Sequence, residues 1–209
     1  MPRAILVLSS LLLTSPAFSQ ASDTLPFQVP APERWAKETI PLPPDFAPEM
    51  KWKGVEELRF APRWMKADSA TFFSYALLFW LPGDQKTDAP TLESQLLVYY
   101  RGLAKAVSES KGQLIDLASF TMTVKADSTK PAKRESGEEV KAFDGELKWI
   151  EPFTTGKEQT LHMEIHTWSS AEPGGRCVFI CASPQPQTAE VWKSLRGIRE
   201  GTAPIAKSK

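Results

Sequence analysis

An α+β fold is predicted for this chain: an antiparallel sheet of about five or six strands with two main helices packed on it, preceded by a proline-rich N-terminal arm. Three observations predict it. Leu92 to Ser110 carries Leu92, Leu96, Tyr100, Leu103 and Val107 on one face of a 3.6-residue period, the mark of an amphipathic helix. A shorter helical pattern, Val191, Leu195 and Ile198, closes the chain. The other apolar segments alternate or are apolar throughout, and Gly, Pro and Asp turn signals separate them, as in a meander of strands.

Residues 1–19 read as a cleavable signal peptide. Arg3 is the positive n-region, Ala4 to Leu13 the apolar stretch, and Ala17-Phe18-Ser19 the small-residue cleavage site. The stretch is too short to anchor in a bilayer, and no cysteine stands near the site to take a lipid, so no membrane anchor is expected after cleavage. Residues 20–53 form the arm. Seven prolines between Leu25 and Pro48 fix φ and remove amide donors, so this stretch should be extended or irregular. One short helix around Glu33 to Glu38, after Pro32, is the exception expected. Trp35 and Trp52 are placed to tether the arm.

The α+β domain is assigned to residues 54–200. Val55 to Phe60 is a short strand, and Thr71 to Leu81 is apolar at both parities, as a central strand covered on both faces must be. Asp88 or Thr91 caps the long helix, Pro90 fits its first turn and Gly112 ends it. Leu114 to Ala126 alternates as a half-exposed strand, and Asp127 to Glu139 is a polar loop. Val140 to Phe153 is extended, with Asp144-Gly145 as a turn or bulge. Thr160 to Trp168 and Arg176 to Ser183 complete the strands; Thr188 is the expected cap of the closing helix, and 201–209 a flexible tail. This order is compatible with several exported α+β families, the PsbP-like lumenal fold among them, and no motif narrows the choice.

Composition excludes some functions. Without the signal segment the formal charge is −1, which leaves no basic face for nucleic acid. Cys177 and Cys181 lie on one extended segment, roughly 13 Å apart at about 3.3 Å per residue, too far to pair with each other. Buried free thiols are the plain reading, with a bridge between chains or a redox role as the alternatives.

The two histidines, His162 and His166, flank Glu164 on one strand, so alternation puts all three on one face with Trp168. Leu161, Met163 and Ile165 take the core face and leave the His-Glu-His row on the opposite surface. Imidazole and carboxylate are ligands for a divalent metal, with Glu146, Lys148 and Glu151 as nearby side chains from an adjacent strand. With Trp168 the same row makes a mixed aromatic and polar strip suited to a ligand. No Gly-x-Ser-x-Gly elbow, phosphate-binding Gly-rich loop or Cys-x-x-Cys pair is present, and the acid pairs Glu56-Glu57 and Glu138-Glu139 read as solvated charges.

The leading reading is therefore an exported protein, periplasmic or secreted, that binds an envelope protein or glycan without catalysis and needs no cofactor. The alternative is a metal-dependent enzyme using His162, Glu164 and His166. A structural factor held by its arm is a third.

Overall fold

The computed structural model of this chain describes residues 26–129, 133–134, 137–170 and 174–205. In chain order its elements are β1 (Phe27–Gln28), β2 (Ala36–Leu42), β3 (Gly54–Phe60), β4 (Tyr75–Pro82), α1 (Ala89–Ser110), β5 (Thr121–Ala126), β6 (Val140–Ile150), β7 (Glu158–Ser170), β8 (Gly175–Ser183), α2 (Glu190–Gly201) and β9 (Ala203–Pro204). The fold is α+β. Seven antiparallel strands run in the order β2-β3-β4-β8-β7-β6-β5, with β1 and β9 paired separately. The signal peptide assigned to residues 1–19 and the end of the tail lie outside the described residues.

The apolar strands sit in the middle because both of their faces are covered. On β4, Leu77, Phe79 and Leu81 point into the core beneath α1, while Ala76, Leu78 and Trp80 point into a second core beneath α2. β8 divides the same way, Val178 and Ile180 against Cys177, Phe179 and Cys181. The helix signals hold: the Asp88 carboxylate accepts the Thr91 amide, Pro90 lies in the first turn, and Gly112 turns the chain out at φ 64°. Besides burying Leu92, Leu96 and Tyr100, α1 guards the free edge of β5. Glu93 accepts the Val124 N–H, and Arg101 donates to the Phe120 carbonyl.

Several expectations are corrected. Residues 36–42, assigned to the arm, form β2 at the sheet edge, where Pro41 is tolerated because one side of the strand needs no ladder bonds. No helix forms around Glu33 to Glu38; residues 33–34 turn and β2 follows. Asp144-Gly145 is neither turn nor bulge. Gly145 pairs in regular register with Val124 and Met163, and a Cβ there would press on Ile165, Met122 and Met163 at 3.1–3.2 Å, so the glycine serves packing. Strand β4 begins only at Tyr75 because residues 71–73 turn, with Phe73 at φ 47°. Similarly, β5 begins at Thr121 and leaves Leu114 fully exposed. Ala189, not Thr188, holds the cap position of α2 and makes no side-chain bond. Ala203–Pro204, in the expected tail, pair with Phe27–Gln28.

Residues 43–53 strap across α1. Met50 and Trp52 are buried in the core, the Gln95 carbonyl accepts the Lys51 and Trp52 amides, and the Trp52 indole donates to the Lys86 carbonyl. Trp35 packs against the second core, so both tryptophans tether as expected. The strap lies so close that a Cβ on Gly102 would stand 2.2 Å from the Phe46 carbonyl oxygen. In a free helix Gly→Ala gains about 1 kcal/mol. Here Gly102→Ala should instead lose about 1–2 kcal/mol by urea unfolding, since the strap must move.

Candidate functional site

The second face of the sheet is only partly covered. The α2 helix has twelve residues, about 18 Å of length, and packs on β8 and β4. Strands β5, β6 and β7 continue beyond it and leave a polar floor. Its rungs read Thr121–Lys148–Thr160, then Thr123–Glu146–His162, then Lys125–Asp144–Glu164. All of these are exposed or half-buried except Glu164.

At the end of the floor, where β6 turns into β7, lies a groove of about 530 Å³. Ser119, Thr121, Lys148, Trp149, Ile150, Glu158, Gln159 and Thr160 line it. The Trp149 indole donates to the Gln159 side-chain carbonyl at 3.1 Å, which orients that amide. Glu151 shapes the adjoining turn: its buried carboxylate accepts the amides of Phe153, Thr154 and Thr155 and the Thr155 hydroxyl. Glu151 therefore organises the hairpin and does not reach the His-Glu-His row.

His162, Glu164, His166 and Trp168 share one face, as strand alternation requires. The expectation that this face is an outer surface is corrected, because α2 forms a second layer over it. His162 stays half-buried at the margin, while Glu164 is 2% exposed, His166 8% and Trp168 3%. Glu164 tolerates burial because α2 brings two cations to it. Arg196 Nη2 lies 2.7 Å from Oε1, and Arg199 Nη1 lies 2.9 Å from Oε2. The bond to Glu164 in turn raises the Arg196 pKa above its ordinary value. The Trp168 ring is covered by the Arg134 guanidinium, 4.2 Å from its centroid, and Trp168 lies at the opposite end of β7 from the groove residues Glu158, Gln159 and Thr160.

Glu146 stands opposite His162, with Oε2 3.9 Å from Nδ1. Among the described residues no three His, Cys, Asp or Glu side chains are grouped to hold a metal ion. On the other side of His162 the rung continues to Ser183. Carboxylate, imidazole and hydroxyl thus follow one another across three strands, the order a nucleophilic triad needs. Yet Ser183 is fully buried, and its oxygen is engaged by the Ser74 hydroxyl at 2.7 Å and the Gln185 amide at 3.1 Å. A substrate carbonyl cannot reach it.

Cys177 and Cys181 are free and buried. Desolvation pushes both thiols up, Cys181 to about 12, so neither is a ready nucleophile. Glu56 and Glu57 do point apart, yet neither is solvated, because β3 is covered on both sides. Glu57 pairs with Arg59 at 2.5 Å, and Glu56 enters the core under α1. In the other acid pair, Glu138 is half-buried beside Arg134, while Glu139 is exposed.

Ser119, Thr121, Glu158, Gln159 and Thr160 were not singled out in the sequence. The signal was faint: polar residues at alternate positions of β6 and β7 persist past the point where a short closing helix can reach. Among the described residues, no helix is long and apolar enough to cross a membrane. The chain matches no known family model, no curated protein and no solved structure.

Proposed function

We propose that the chain is an exported, non-enzymatic binding module, periplasmic or secreted, whose contact surface is the polar floor of β5–β7 and its terminal groove. The observation that carries this reading is a three-stranded surface of hydroxyl, amide and charged side chains that stays open except at Glu164, where α2 reaches it. The groove's volume falls within the roughly 300–1,000 Å³ of ligand pockets. Ser119, Thr121 and Thr160 supply hydroxyls, Gln159 an amide, and Lys148 and Glu158 one charge of each sign. Such a lining offers donors and acceptors to a hydroxyl-rich ligand of little net charge, so an envelope glycan is the favoured class. A polyanion finds no excess of cations here.

The untagged mature protein should co-sediment with insoluble cell-wall polysaccharide. Lys148→Ala combined with Thr160→Trp should weaken that binding by about tenfold or more, since one hydrogen bond to a charged group is worth about 1.5–3 kcal/mol and the indole fills the groove. Both side chains are at least partly exposed, so thermal unfolding should change little. Wild-type protein that stays in the supernatant, or a variant that sediments equally well, would refute the proposal.

A further inference from the structure

Glu56 points from β3 into the core beneath α1 and is 0% exposed. Its Oε1 accepts the Tyr99 hydroxyl at 2.7 Å, and its Oε2 has no hydrogen-bond partner among the described residues. Its rung neighbours are Ile40 of β2 and Phe79 of β4. The ring of Tyr99 is wedged between Phe46 of the strap, at 5.1 Å, and Phe79, at 5.9 Å.

The titratable groups facing Glu56 are Glu38 from β2, Tyr75 from β4, and Tyr99 and Tyr100 from α1. Tyr75 and Tyr100 bond each other at 2.5 Å. The charged side chains of the strap, Asp45, Glu49, Lys51 and Lys53, are exposed. None of the facing groups is a cation. An ionised carboxylate there would hold one hydroxyl donor and no counter-charge, while the neutral acid avoids that desolvation cost.

We infer that Glu56 is a proton latch: α1 and the 43–53 strap close over a neutral carboxyl, and loss of its proton favours their opening. Burial is the main cause that lifts this carboxyl from 4.5 to about 8; the Tyr99 bond opposes the rise and Glu38 adds to it. In the opened form the group returns to its ordinary value, so the closed form holds one extra proton between those limits. Closure is therefore strongest below the lower limit. It weakens by tenfold per pH unit across the window and changes no further above the upper one.

Hydrogen exchange of the α1 and strap amides, corrected for intrinsic base catalysis, reads this directly. Between about pH 5.5 and 7.5 the opening constant should rise about 100-fold in the wild type. It should stay flat in Glu56→Gln, which keeps the shape of the neutral acid. Equal slopes in both proteins would overturn the latch. Should Glu56→Gln fail to fold, the wild-type carboxyl resonance decides: a midpoint near 8 supports the latch, and one near 4.5 overturns it.

Discussion

Arg199→Met is expected to destabilise the protein by about 1.5–3 kcal/mol, the worth of a hydrogen bond to a charged group, because Glu164 loses one of its two cations. The Glu164 side chain is 3% exposed, and its charge is tolerable there only because both oxygens are engaged. Arg199, itself nearly buried, supplies one of the two cations. Arg196 supplies the other from a position that is one-third exposed. Removing Arg199 takes away the better buried of the two cations and leaves the carboxylate, in the layer between α2 and the sheet, to the partly solvated Arg196 fork. Removing Arg196 exposes that carboxylate to less change, because water already reaches its guanidinium, and about 1 kcal/mol should be lost. Replacing Glu164 by Leu along with both arginines by Met should recover most of the loss, since no charge is then left unpaired. Urea unfolding of the set measures all of this. If Arg199→Met falls within about 1 kcal/mol of the wild type, Arg196 alone suffices to hold the Glu164 charge.

Gly54→Ala should cost about 3 kcal/mol, combining backbone strain with a clash that cannot relax cheaply. Gly54 opens β3 at φ 144°, and a Cβ on it would stand 1.9 Å from the Trp80 carbonyl oxygen. That oxygen belongs to β4, an interior strand fixed by β3 on one side and β8 on the other. Gly83→Ala is the control that separates the two causes. It too has positive φ, 76°, but a Cβ there meets nothing within 4 Å. Only the left-handed strain remains, about 1–2 kcal/mol. Thermal melts of the pair should therefore differ clearly. Equal losses would mean that conformation, not the close approach of two strands, sets the cost at Gly54.

The features legible in the sequence were those written locally. Two-sided apolarity placed β4 in the middle, and Asp88, Pro90 and Gly112 marked the ends of α1. What stayed hidden depends on partners far along the chain. The edge strand β2 was masked by its proline, which reads as irregular until β3 is seen beside it. Gly145 looked like a turn because packing against Met122, Met163 and Ile165 leaves no trace in its neighbours. The burial of Glu56 and Glu164 needs Tyr99 in one case and Arg196 and Arg199 in the other, more than thirty residues away. Alternation correctly put His162, Glu164, His166 and Trp168 on one face. It carried no information on how far across that face a twelve-residue helix extends.

The guarded edge of β5 has a consequence for how the floor beside it can be read. Extending a sheet is recognition by main chain: the newcomer matches a row of amides and carbonyls that every sequence possesses, and it is correspondingly undiscriminating. Here two groups of that row are already spoken for by Glu93 and Arg101 of the same molecule. A partner approaching this end of the sheet must come from above and meet threonine, lysine, glutamate and histidine instead. Selectivity then resides in the identity of a few side chains, and changing them can alter what is chosen without disturbing the scaffold beneath.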